Sequence, residues 1–269
     1  MFDTSVQLDC AGRVLRLDRP RVMGIVNVTP DSFSDGGAHD TLEAALAHGL
    51  ELAAEGADIL DIGGESTRPG AQAVPLEEEL RRVVPLIERL SRETTLPISI
   101  DTFKPAVMRA AVAAGAGMIN DISGLRAEGA LQAAAELGVP VVLMHMLGDP
   151  QSMQDAPAYD DVVGQVHRFL AERIFAAEMS GIDRKKIVID PGFGFGKTTA
   201  HNLALLAQLQ RFTELGVPVL AGLSRKRSIG ELTGRQVPAE RMAGSLAAHL
   251  IAAQRGAYAG YAAGNARRP

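Results

Sequence analysis

The chain has 269 residues, of which 46% are apolar and 22% charged, and its 27 Lys and Arg against 32 Asp and Glu leave a net charge of −5. These totals supply one large core and exclude disorder by composition, and the acidic balance argues against nucleic acid or an anionic membrane as partner. A lone Cys10 permits no internal disulfide or thiolate cluster, residues 1–20 lack the apolar core of a signal peptide, and no apolar run reaches the ~18 residues of a membrane span. A soluble, cytoplasmic, single-domain protein with no nucleic-acid or membrane partner is expected, with Cys10 packed as a small hydrophobe.

Residues 6–17 read as two short alternating strands around Ala11 and Gly12, a hairpin suited to plugging one mouth of a barrel. Beyond it, β-rich runs at 22–28, 58–62, 98–100, 118–119, 139–144, 187–189 and 217–220 alternate with Ala/Leu/Glu/Arg stretches suited to helix. Each run stops on residues able to bind or titrate: Asn27, Asp61, Asp101, Asn120 with Asp121, His145, Asp190, and Ser224-Arg225-Lys226. Such βα repetition predicts an α/β fold, a (β/α)8 TIM barrel over residues 1–269, with these groups gathered on the face where strand carboxyl ends open. Helices are expected at 42–55 with Asp40 or Thr41 as N-cap, at 77–92, at 104–114 with Pro105 in the first turn, at 160–180 and at 239–255, the last two the longest. The small-residue run AGSLAAHLIAA in the last helix suits close approach by another helix, as from a second subunit. The long loops TPDSFSDGGAHD and ESTRPGAQAVP are expected to act as lids or binding loops.

Asn27 offers a neutral oxygen suited to Mg²⁺ when water and phosphate complete the shell, although a cap or turn role is the plain alternative. Arg68 sits in a Gly/Pro-rich loop where its planar fork can close on phosphate. Asp101, Asn120 and Asp190 end apolar strands, so their side chains should meet in a partly dry pocket able to satisfy the edge of a flat heterocycle. Arg68, Lys104, Lys197, Arg225, Lys226 and Arg227 crowd the same face and point to a small anionic substrate, although Lys104 and Lys197 taken singly serve equally well as surface cations. DPGFGFGKT, from Asp190, matches neither the Walker nor the dinucleotide glycine spacing. Its glycines are expected to let Phe193 or Phe195 line a cleft. Ser224-Arg225-Lys226 precedes a helix, where barrels commonly bind phosphate. His145 is expected to be a hydrogen-bonded pocket wall and not a zinc ligand.

The segments GIVNVTPDSFSDGG, DIGGESTRPGA, ISIDTFKP, AGAGMINDISG, VVLMHM, DPGFGFGK and GLSRKRSIG, in order from Gly24 to Gly230, closely resemble dihydropteroate synthase of folate biosynthesis, and AGSLAAHLIAAQRGA extends the likeness to about Ala257. The resemblance implies a transferase, a sulfonamide target, that condenses 6-hydroxymethyl-7,8-dihydropterin diphosphate with 4-aminobenzoate. It implies that Asn27 holds Mg²⁺ with the diphosphate, and that Thr67 and Arg68 complete the diphosphate and aminobenzoate side. It further implies that Asp101, Asn120, Asp190 and Lys226 grip the pterin, that Met144 and Phe195 pack near it, and that Ser224 belongs to the same site. By the same resemblance Phe33 and Pro69 are expected to wall the aminobenzoate pocket. Asp101, Asp190, Lys226 and Arg68 are the expected catalytic groups, and a homodimer is the expected assembly.

Two departures stand out. Position 227, often a small hydroxyl residue in the family, is Arg. The ending GAYAGYAAGNARRP puts Tyr261 and Ala263 roughly where relatives carry an Arg and a His that contact diphosphate, so the eighth βα unit is expected to be atypical or incomplete. A methyltetrahydrofolate methyltransferase-type barrel shares the pterin-gripping logic, but its substrate has no diphosphate for Arg68 and Ser-Arg-Lys to hold. A catalytically impaired pterin-binding protein is the other alternative.

Overall fold

Ala11 and Gly12 both adopt left-handed φ, 54° and 85°, and turn β1 (Gln7–Cys10) back onto β2 (Arg13–Arg16) as an antiparallel pair. Alternation then sends Leu8, Cys10 and Leu15, followed by Leu17, to one face of the hairpin. In the computed structural model, which describes residues 6–28, 38–67, 71–149 and 152–262, that face is buried against Met23, Ile59, Met118, Val142, Val188, Leu220 and Ala259. The hairpin is therefore the expected plug. Cys10 is 1% exposed, and burial, with Asp9 adding negative charge, pushes its thiol up to about 12.

Eight parallel strands close the barrel in the order β10-β3-β4-β5-β6-β7-β8-β9. They are β3 (Arg21–Asn27), β4 (Ile59–Gly63), β5 (Ile98–Asp101), β6 (Met118–Asp121), β7 (Val141–Met144), β8 (Ile187–Asp190), β9 (Val219–Ala221) and β10 (Ala257–Ala262). Their period of two sorts side chains between two cores. Met23, Ile59, Met118, Val142, Val188 and Leu220 fill the interior with the hairpin, whereas Val26, Leu60, Ile62, Ile100, Ile119, Leu143 and Ile189 face the helices. Burial on both faces is why these strands read as unbroken apolar runs.

The covering helices are α1 (Ala38–Ala54), α2 (Leu76–Glu93), α3 (Pro105–Ala114), α4 (Ala130–Leu137), α5 (Val162–Met179), α6 (Thr199–Ala207), α7 (Gln210–Thr213), α8 (Arg227–Thr233) and α9 (Met242–Gln254). Pro105 opens α3 as expected. Asp40 and Thr41 do not cap α1, because the helix already includes Ala38. The helix expected at 239–255 is shorter, at 13 residues, because Pro238 starts a separate 3-10 turn over Pro238–Arg241; α2 and α5, at 18 residues each, are the longest. The eighth strand is complete enough to close the barrel. β10 pairs with β3 through Ala259–Ala262 and with β9 across an irregularity between Ala257 and Ala259. No helix follows it among the described residues, and α9 leaves Met242, Leu246 and Leu250 exposed in an i, i+4 stripe. No described helix is long and apolar enough to cross a membrane.

Candidate active site

Above the apolar floor, the same inward parity that places Met23, Ile59, Met118 and Val188 inside brings up Asn27, Asp61, Gly63, Ser99, Asp101, Asn120, Met144 and Asp190. A cross-barrel bond fixes this polar storey: the Asn120 Nδ2 amide donates to Asp61 Oδ2 at 3.0 Å, from β6 past β5 to β4. Asp61 is 2% exposed, and its carboxyl is pushed up to about 6 by burial, with Ser99 and Asn120 partly offsetting that. Burial also raises Asp101 well above the usual carboxylate range, and Asp61, Asp121, Glu79 and Glu65 add like charge.

Gly63 stands opposite Asn27 in the β3–β4 ladder. A methyl group there would come within 3.0 Å of Asn27 Oδ1 and 3.7 Å of Asp101 Oδ2, so the missing side chain leaves open the space that these two oxygens face. Asp121, next to Asn120, points the other way. It accepts from Ser123 N (2.6 Å), Ser123 Oγ (2.7 Å) and Leu125 N (3.0 Å), which makes it the staple of the β6–α4 loop.

Asp190 ends β8, is 2% exposed and accepts from Gly192 N at 2.7 Å. Burial pushes its carboxyl up to about 6, against backbone hydrogen bonding and the charges of Lys226 and Lys197. Lys226 lies on the same wall with its ammonium 4.3 Å from the centre of the Phe195 ring. Desolvation lowers that ammonium to about 8, while Asp190 and Asp101 hold it up. Phe195 packs with Met144, Ile122, Met146, Met153 and Phe103, so one wall is apolar and flat and the facing groups are charged. Phe193, in contrast, is 1% exposed within the helix-side core, so of the two phenylalanines only Phe195 lines the cleft.

Arg225 takes a left-handed φ of 54°, held by its N–H on Ser245 Oγ at 2.9 Å and by Arg241 donating to its carbonyl at 3.0 Å. Those bonds aim the neighbouring Ser224 and Lys226. Thr67 is half-buried at the end of the described part of the β4–α2 loop. Arg68, Pro69, Phe33 and Ala263 lie outside the described residues.

The six strand-end cations do not act as one anion-binding group. Lys104 is engaged by Glu65 and by Glu79, which is 1% exposed and also accepts from Thr102 Oγ1 at 2.7 Å. Arg227 is 85% exposed and pairs with Glu231. Lys197 is 3% exposed and donates inward to His145. His145 is thus hydrogen-bonded, as expected. The carboxylates that claim Lys104 lie 39 and 25 residues away, beyond the reach of local pattern. Asp61 was visible as a strand-end residue, yet its bond to Asn120 reaches across β5 and depends on the curvature of the β4–β5–β6 sheet.

The pterin-binding enzyme family matches residues 23–261. Dihydropteroate synthase of Escherichia coli K12 is 51% identical over 253 residues, covering 94% of this chain and 89% of that protein. The Bacillus subtilis dihydropteroate synthase is 46% identical, covering 89% and 81%. Among solved structures, the Xanthomonas albilineans dihydropteroate synthase with 4-aminobenzoic acid superposes with a TM-score of 0.92 at 74% identity, covering 96% of this chain and 92% of that one. The same organism's dihydropteroate synthase in complex with 7,8-dihydropteroate gives 0.87 at 70% identity, covering 95% and 92%. With a polar storey ringed by Asp101, Asn120, Asp190 and Lys226, and with likeness of this depth over nearly its whole length, the chain belongs to the dihydropteroate synthase family of pterin-binding enzymes.

Proposed function

We propose that the chain condenses 6-hydroxymethyl-7,8-dihydropterin diphosphate with 4-aminobenzoate to give 7,8-dihydropteroate and diphosphate. The observation that carries this reading is the pairing of a flat apolar wall, Phe195 and Met144, with buried acids and an ammonium on one barrel rim. A bicyclic ring fits such a slot: Asp101, Asn120 and Asp190 meet its polar edge, and Lys226 and Phe195 pack against it. The C–O bond to diphosphate breaks first and leaves a cationic methylene-pterin. Asp101 and Asp190 stabilise that cation, the aniline nitrogen forms the new C–N bond, and its surplus proton passes to the departed diphosphate or to water. The likeness to the family assigns Phe33, Thr67, Arg68 and Pro69 to the aminobenzoate and diphosphate side of the site. Ser224 extends the polar wall beside Lys226.

Mg²⁺ fits the donor set. Asn27 supplies a neutral oxygen beside the space over Gly63, which suits a hard ion that keeps water and phosphate ligands. When bound, the ion neutralises charge on the departing diphosphate. A homodimer is supported by the exposed Met242, Leu246 and Leu250 stripe on the small-residue helix α9, and a reducing cytoplasm by the single buried thiol. The purified chain with pterin diphosphate, Mg²⁺ and 4-aminobenzoate should release diphosphate in proportion to dihydropteroate formed. Absence of product at saturating substrates overturns the reading.

A further inference from the structure

The strongest unassigned group is Lys197. Its ammonium lies 2.8 Å from Gly192 O, 2.9 Å from Phe195 O, 2.9 Å from His145 Nδ1 and 3.3 Å from His145 O. Burial lowers this ammonium well below the ordinary lysine value while Asp190 holds it up, and even fully protonated it has only three N–H donors, so four acceptors at these distances leave none for a substrate. At 3% exposure it is no surface cation either. Whatever Lys197 does, it does through the groups it holds.

Those groups belong to the site wall. The loop from Pro191 to Gly196 is pressed against the end of β7: a methyl group at Gly192, whose φ is 70°, would come within 1.9 Å of His145 O. Gly192 N is bound to Asp190, the Phe195 ring carries the Lys226 ammonium, and Phe195 N donates to Gly192 O at 3.1 Å. The Lys197 ammonium sits at the centre of this turn. His145 can accept from it because burial first, and then the Lys197 charge, lower the imidazole to about 2 and keep the ring neutral. The ring is also wedged edge-on against Phe169, with centroids 4.8 Å apart.

We propose that Lys197 is a positioning residue for the condensation: by drawing the carbonyls of Gly192, Phe195 and His145 onto one ammonium, it sets the pose in which Asp190 and Phe195 meet the pterin. The proposal rests on the dihydropteroate synthase reading of the site. It predicts a KM change confined to one substrate, because the loop Lys197 holds lines the pterin side of the cleft.

The test is Lys197→Met, which keeps the length and apolar stem and removes every donor. With misplaced groups costing one to two orders of magnitude, KM for the pterin diphosphate should rise and kcat fall by about tenfold each, while KM for 4-aminobenzoate stays within about twofold. A merely structural role would lower the melting temperature and disturb both KM values alike, and that result, or wild-type kinetics, overturns the proposal. Should Lys197→Met fail to fold, Lys197→Gln decides, since two neutral N–H donors cannot hold four acceptors. A pterin-selective loss upholds the proposal, and no loss or an equal loss for both substrates overturns it. A wild-type chain that neither binds pterin diphosphate nor releases diphosphate would refute the functional reading, whereas an active wild type with an unimpaired variant refutes only the role of Lys197.

Discussion

The barrel interior has two storeys built by the same alternation of side chains, and they serve opposite ends. Below, Met23, Ile59, Met118, Val142, Val188 and Leu220 meet the hairpin leucines in a dry floor with no hydrogen-bonding demands. Above, the next inward positions hold Asp61, Ser99, Asp101, Asn120 and Asp190, whose buried oxygens are costly unless something satisfies them. The floor supplies the stability that the upper storey spends on recognition.

The largest effect expected from breaking this division is on the floor. Ile59→Ala should cost about 2–5 kcal/mol in chemical denaturation by leaving a cavity, with kcat/KM of the remaining folded enzyme close to wild type. In the upper storey the signature reverses. Asp190→Asn and Lys226→Ala should each lower turnover at least ~100-fold, read by diphosphate release, with little change in melting temperature; near-normal rates in both would remove these residues from the chemistry.

Asp121 sharpens the contrast within a single strand end, since it is buried beside Asn120 yet serves a loop. Desolvation raises its carboxyl from 3.8 to about 6 in the folded chain, against its bonds from Ser123 and Leu125. A raised carboxyl favours the folded state below the ordinary carboxylate range, and that advantage is lost as pH rises through the folded value. The unfolding free energy of wild type relative to Asp121→Asn should therefore fall between the ordinary value of 3.8 and about 6, and then level off. A pH-independent difference would contradict this. The smallest effect concerns the rim at β10: Tyr261→Arg with Ala263→His should lower KM for pterin diphosphate by about tenfold if the added charges reach the leaving group. An unchanged KM would show that these positions do not face it.

The architecture was legible because parallel strands buried on both faces write themselves as short apolar runs, and a polar residue at the end of each run marks the rim. The closing strand was harder to read: AYAGYA has none of the Val and Ile that mark the other runs, yet the register with β3 and β9 supplies its ladder bonds. Asp101, Asn120, Asp190 and Lys226 were legible as groups of one rim, because one strand or loop end decides where each of them lies. It was not legible where distant partners decide. Lys104 looks like a substrate cation until α2 delivers Glu79 to it, and Lys197 looks equally free until the glycine loop folds over it. Phe193 and Phe195 are separated by one glycine in sequence, and irregular backbone carries no period that could assign one to the core and the other to the cleft.

The ladders around the barrel are unevenly laced. β3 and β4 share five registered pairs and β7 and β8 share four, but β8 and β9 meet only at Ile189 and Val219. This thinly stitched seam runs directly beneath the acid of Asp190 on one side and the ammonium of Lys226 on the other. The proposed substrate ring, held by Asp190 after β8 and Lys226 after β9, would bridge the two sides of this seam. Occupancy of the cleft should thus stiffen the protein most at the place where its own backbone binds it least.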